Sequence, residues 1–139
     1  MAASLNDAVR KLLDEPNYAV LGTVNPDGSP QTSLVWVDRD GDDVVISTAA
    51  GRRKERNIRR DPRVSLSVWD RGDPERYAEI RGLATMHPDP GRELAVQLGE
   101  KYEGAGGGQQ FLDLPAEVVR VVIRITLQHV AGNAAGSAG

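Results

Sequence analysis

Residues 119–127 constrain the fold more than any other stretch. Val119, Val121, Ile123, Ile125 and Leu127 fall on one face of an extended chain, and Arg120 and Arg124 fall on the other. Successive side chains of a strand point to opposite faces, so this alternation buries one side and wets the other. Five earlier runs also have strand character: Tyr18–Val24, Gln31–Val37, Val44–Thr48, Arg63–Trp69 and Tyr77–Met86, the last with Gly82 as a bulge position. Asn25-Pro26-Asp27-Gly28 and Asp38-Arg39-Asp40-Gly41-Asp42 read as turns between the first three runs, and the opening pair is a hairpin. Helical spacing appears at Leu5, Ala8, Val9, Leu12 and Leu13, with Ser4 or Asn6 as cap. It returns in a short basic stretch stopped by Pro62, and after Pro88-Asp89-Pro90 through Leu94, Leu98 and Tyr102. A doubly wound parallel sheet needs a helix after nearly every strand, and that alternation is missing. The pattern predicts a mainly β, antiparallel six-stranded barrel with peripheral helices.

A chain of 139 residues holds one core, so residues 1–130 read as a single domain. Residues 131–139 are small and polar and are expected to form a disordered tail. The run Gly104-Ala105-Gly106-Gly107-Gly108 is expected to be a flexible loop. It is no dinucleotide loop, because Gln109 stands where the third glycine of that spacing would fall. Cysteine is absent, which excludes disulfides and thiolate chemistry and is compatible with a reducing cytoplasm. No apolar run approaches a membrane span and no signal pattern opens the chain, so a soluble, cytoplasmic protein with no membrane partner is expected. A net charge of −3 argues against general nucleic-acid binding. His87 and His129 have no carboxylate or second histidine at ligand spacing. No metal site is expected, and no residue stands out as a catalytic acid or base.

Against that acidic background one segment is cationic. From Arg52 to Arg63 the chain carries Arg52, Arg53, Lys54, Arg56, Arg59, Arg60 and Arg63 against Glu55 and Asp61, a local balance of +5. It follows Ser47-Thr48-Ala49-Ala50-Gly51, so two hydroxyls and a glycine turn lead from a strand into a basic helix. Hydroxyls, forked guanidiniums and an ammonium converging near a helix start are what a phosphate requires. Lys54, Asn57 and Ile58 share one helical face, which places a polar ligand contact beside a core anchor. The competing reading is a solvated charged face, which composition alone does not exclude. Trp36 and Trp69 read first as core or interface residues, although Trp36 stands where a ring could be met.

Taken together, several motifs resemble the flavin-reductase-like split β-barrel superfamily that includes pyridoxamine 5′-phosphate oxidase, and more closely its actinobacterial coenzyme F420-dependent reductase branch. They are Val20-Leu21-Gly22-Thr23-Val24-Asn25-Pro26-Asp27-Gly28-Ser29-Pro30, Leu34-Val35-Trp36-Val37, Ile46-Ser47-Thr48 with Arg53-Lys54, Asn57-Ile58 and Asp61-Pro62-Arg63-Val64-Ser65-Leu66, and the closing strand from Arg120 to Ile125. The resemblance spans about residues 5–130. It implies that the barrel is of the split type and that the domain binds a cofactor. It implies that Ser47, Thr48, Arg53 and Lys54, with Arg52 as an extra cation, hold the cofactor phosphate. It also implies that Ser33, Leu34, Val35 and Trp36 line the tricyclic ring, and that the protein is a homodimer with cofactor sites at the interface. The expected activity is hydride transfer from reduced deazaflavin coenzyme F420 to an electron-poor acceptor, an activated alkene or a quinone. In such chemistry the cofactor reacts and the protein positions it. The basic cluster favours the deazaflavin, whose phosphodiester and polyglutamate tail would meet Arg56, Arg59 or Arg60. FMN is the alternative cofactor. A non-catalytic cofactor carrier or haem-type binder and an RNA-binding barrel stay open as other readings.

Overall fold

The computed structural model of the chain describes residues 3–136. Helix α1 (Asp7–Asp14) precedes the hairpin β1 (Ala19–Val24) and β2 (Pro30–Val35). Strands β3 (Asp38–Asp40) and β4 (Asp43–Ala49) follow, then α2 (Arg53–Arg60), β5 (Arg63–Trp69) and β6 (Tyr77–Pro88). The chain ends with α3 (Glu93–Glu103), α4 (Gln109–Leu112), β7 (Arg120–Ala131) and a 3-10 turn at Asn133–Ala135. All pairings are antiparallel, in the order β2-β1-β5-β6-β7-β4-β3. The edge strands β2 and β3 are consecutive in the chain and are joined by Trp36 and Val37, so the two ends of the sheet meet at that corner. This is the expected split barrel, with seven strands instead of six. The extra strand, β3, lies inside the segment read as a turn: Asp38, Arg39 and Asp40 pair with Val45, Val44 and Asp43. Three charged residues carry no apolar alternation, so only the tertiary pairing reveals them.

The alternating faces form the interior. Leu21, Leu66, Ile80, Ile123 and Ile125 are fully buried, together with Val44, Ile46 and Val68 from neighbouring strands. Each such side chain contributes about 1.5–3 kcal/mol through apolar burial. Helix α1 lays Val9, Leu12 and Leu13 against this core, and Ile58 anchors α2. Asn6 caps α1 by accepting from the Val9 N–H at 2.8 Å. The β6–β7 ladder slips register at Arg81/Gly82, where a Cβ on Gly82 would strike the Thr126 carbonyl, so the bulge needs glycine.

Two expectations change at the C-terminal side. The run 104–108 is a packed turn: a Cβ on Gly99 of α3 would strike the Gly107 carbonyl, and the Glu100 carboxylate accepts from the Gly106 and Gly108 N–H groups at 3.2 and 2.7 Å. Composition showed the glycines but not the helix they lean on. The expected tail is likewise packed through Ala135. Strand β7 reaches Ala131, Ala134 is buried, Asn6 Nδ2 donates to the Ala134 carbonyl at 3.0 Å, and the Tyr77 N–H donates to Asn133 Oδ1 at 2.9 Å. Residues 137–139 of that tail lie outside the described residues.

Candidate functional site

Helix α3 is fastened to the corner where the barrel ends meet. The Tyr102 hydroxyl accepts from the Val37 N–H at 2.9 Å and donates to the Asn17 carbonyl at 2.6 Å, while Lys101 Nζ donates to the carbonyls of Val37, at 2.6 Å, and Leu13. Burial pushes the Tyr102 hydroxyl up to about 12, so it stays a neutral donor. The Tyr102 ring stacks on Trp36 at 5.0 Å between centroids and 5° between planes, and Phe111 meets Trp36 edge-on at 6.3 Å. This aromatic wall is therefore set before any ligand arrives.

Beside it opens a cleft of about 190 Å³, lined by Leu34, Val35 and Trp36 from β2 and the corner after it, by Ser47 and Thr48 from β4, and by Arg52, Lys54 and Arg120. Ala95, Leu98 and Phe111 complete it. Among the described residues, no acidic side chain lines it. Among the described residues, none of Arg52, Lys54 and Arg120 forms an ion pair with a carboxylate. Burial, then Arg52, then Arg120 hold the Lys54 ammonium below its ordinary value. Burial and then Arg52 do the same to the Arg120 guanidinium. Three neighbouring cations without an ion-paired carboxylate fit a bound anion, and the two hydroxyls on β4 add short polar contacts.

Seven of the expected residues gather here: Leu34, Val35, Trp36, Ser47, Thr48, Arg52 and Lys54. Three do not. Ser33 shares the inward face of β2 with Val35, and its Oγ is buried without a hydrogen-bond partner. Arg53 is exposed on the far side, in a shallow depression with Asn25, Pro26 and Asp27. Asn57 is fully buried, and its amide donates to Thr23 Oγ1 at 2.9 Å and Asn25 Oδ1 at 3.0 Å, so its donors tie α2 to the β1–β2 hairpin instead of meeting a ligand. The outer arginines divide as well: Arg59 pairs with Glu55 at 2.7 Å, and Arg60 donates to the Val24 carbonyl. Arg56 stays exposed.

Arg120, Phe111, Ala95 and Leu98 line the cleft although the sequence did not single them out as site residues. Arg120 reaches the cleft because β7 pairs with β4, which sets it opposite Ala49. Phe111 arrives because Arg92 gathers the carbonyls of Phe111, Leu114, Pro115 and Val118 at 2.7–3.0 Å and folds residues 111–118 against α3. No local signal marks either. The histidines stay apart from the cleft: His87 bonds Thr85 at 2.8 Å, and His129 is exposed. Among the described residues no cluster of three potential metal ligands exists, and no helix is long and apolar enough to cross a membrane.

Known proteins share this fold. A solved structure described as an F420 reductase superposes with a TM-score of 0.76 at 32% identity, covering 91% of this chain and 98% of that one. The pyridoxine/pyridoxamine 5′-phosphate oxidase of Rubrobacter xylanophilus is 39% identical over 79 residues, and its namesake from Bacteroides fragilis is 34% identical over 86. Those stretches are 56% and 60% of this chain, which spans 36% of the length of both relatives. The family described as pyridoxamine 5′-phosphate oxidase matches residues 5–133, and the chain belongs to that family.

Proposed function

We propose that the protein is a reductase that uses reduced coenzyme F420 to deliver a hydride to an electron-poor acceptor, an activated alkene or a quinone. One observation carries the reading: a single cleft whose lining divides between three cations without an ion pair, with two hydroxyls, and the Leu34–Trp36 strand. That is the division a molecule with a phosphate and a flat ring requires. The family is one of oxidoreductases. The near full-length likeness to the structure described as an F420 reductase supports the deazaflavin within it. FMN is the second reading, favoured by the names of the curated relatives, which match over a shorter stretch.

When bound, the cofactor supplies the hydride. The chain's part is to hold and shield. Arg52, Lys54 and Arg120 neutralise the phosphate, Ser47 and Thr48 offer hydroxyls, and Leu34, Val35 and Trp36 line the ring. Leu34 lines the cleft yet is 61% exposed on edge strand β2, so the site is open on that side. A second copy of the chain would close it there, in a homodimer with two sites at the interface. Since no histidine or carboxylate of the described residues lines the cleft, solvent or an ordered water supplies the proton.

Titration with coenzyme F420 and with FMN, following ring fluorescence, tests the proposal. Tight binding of the deazaflavin, with oxidation of its reduced form only when an acceptor is added, is the expected result. Tight binding of FMN alone would replace the first reading by the second, and binding of neither would remove the enzyme reading.

A further inference from the structure

We propose that Arg120 is a phosphate-binding residue of the cleft and that it sets the polarity of Ser47, holding that hydroxyl so that its proton points to the bound anion. The inference deepens the proposed function and rests on it for the identity of the ligand, though not for the presence of an anion. Arg120 Nη2 and Nε donate to Ser47 Oγ at 2.9 and 3.3 Å. A guanidinium has only donors, so the serine oxygen accepts from it and its single proton is left for another partner. Among the described residues that proton meets no acceptor, and Ser47 lines the cleft. A hydroxyl left free to rotate would split its time between donating and accepting. One pinned by a cation is a donor already aimed at incoming negative charge.

The same strand supplies a control. Arg124 lies on the same face of β7 and also reaches across to β4, but it binds Asp43 at 3.0 Å and, from β3, Asp40 at 2.9 Å. It is a neutralised strap. Arg120 has no such carboxylate. The charges acting on it are Arg52 and Arg92, which oppose its own, and Asp89, which favours it. The Asp89 carboxylate already accepts the Glu93 and Leu94 N–H groups at the start of α3, at 2.9 and 3.1 Å. The Phe111 ring lies 5.1 Å from the Arg120 guanidinium and holds its plane. A half-buried arginine that is oriented from two sides and not neutralised is an arrangement for a ligand. A structural tie between two strands would not need the missing counter-charge.

The test compares ligands that differ only in the phosphate: FMN against riboflavin, and coenzyme F420 against its phosphate-free ribityl deazaflavin. In the full chain, Arg120→Met should weaken the phosphate-bearing ligand by about 10-fold or more and leave the phosphate-free one within about 2-fold. Equal losses for both would make Arg120 a structural residue and overturn the proposal, as would no loss for either. In the wild type, Ser47→Ala should cost affinity for the phosphate-bearing ligand only; in the Arg120→Met background it should cost measurably less, because the hydroxyl is no longer polarised. Full additivity of the two changes would sink the polarity claim. If Arg120→Met does not fold, Arg120→Lys, which keeps the charge and loses the fork, replaces it with the same expectations in reduced size. Inorganic phosphate separates this inference from the identity of the cofactor. It should shift the backbone amide resonances of Ser47, Lys54 and Arg120 in the wild type even if no ring ligand binds, and no shift there would overturn the proposal independently.

Discussion

The two walls of the cleft are built on opposite principles. The aromatic wall of Trp36 and Phe111, backed by Tyr102, is satisfied by the protein itself: the rings pack on one another, and the Tyr102 hydroxyl has both a donor and an acceptor in the backbone. The cationic wall of Arg52, Lys54 and Arg120 is not satisfied, because Arg52 and Arg120 disfavour the Lys54 charge and, among the described residues, none of the three is ion-paired with a carboxylate. One wall therefore stabilises the fold, and the other is kept at some cost to it. Uncompensated charge at a site marks a trade of stability for binding. Each wall should accordingly respond to mutation in its own way.

The largest effect belongs to the aromatic wall. Tyr102→Ala removes the stack on Trp36 and the hydroxyl that ties α3 to Val37 and Asn17, and should destabilise the protein by about 3–5 kcal/mol, read from chemical denaturation. Ring affinity should fall with it. The cationic wall should separate the two quantities. Lys54→Met is expected to weaken a phosphate-bearing ligand by roughly 1.5–3 kcal/mol, about 10- to 100-fold, while the ligand-free protein is as stable as the wild type or more so. Parallel losses of stability and affinity in Lys54→Met would break the contrast.

The same contrast explains what could be read beforehand. Ser47, Thr48, Arg52 and Lys54 fall within eight positions, so local composition exposed most of the cationic wall, and strand alternation exposed the barrel core. Arg120 stands 73 positions from Ser47, and β-pairing alone brings them together. Alternation put Arg120 and Arg124 on one face without telling which of them meets Asp40 and Asp43, since those acids come from β3 and the start of β4. Asn57 misled for a related reason. Its helical position beside Lys54 suggested a ligand contact, but its partners Thr23 and Asn25 lie across the β1–β2 hairpin and are invisible locally. Residues 104–108 looked loose because the surface that demands small residues, the Gly99 side of α3, is itself a tertiary feature.

A smaller effect concerns pH. Lys54 titrates below its ordinary value of 10.5 in the folded chain, chiefly through burial and then through Arg52. Between that lowered value and 10.5 the unfolded chain carries more protons than the folded one, so stability of the ligand-free protein should rise with pH across that window. Affinity for the anion should move the other way, falling as Lys54 loses its charge. Subtracting the Lys54→Met profile from the wild-type profile isolates this step from other alkaline titrations. Identical profiles would show that Lys54 does not titrate in the site.

The smallest effect is the most discriminating, because it uses the neutralised arginine of β7 as a reference for the uncompensated one. Arg124→Gln breaks ion pairs with Asp40, a largely exposed carboxylate, and Asp43, and should lower stability by no more than about 1 kcal/mol. It removes the same formal charge from the same face of the same strand as Arg120→Met does. If the cleft attracts its anion through the general field of the protein, both variants should weaken phosphate binding alike, and both losses should fade with added salt. If the three cations act by contact, Arg124→Gln should leave the affinity within about 2-fold while Arg120→Met does not, and the difference should persist at high salt, since partly buried charges are screened less than exposed ones. Isothermal titration with phosphate-bearing and phosphate-free ligands at two ionic strengths decides between field and contact.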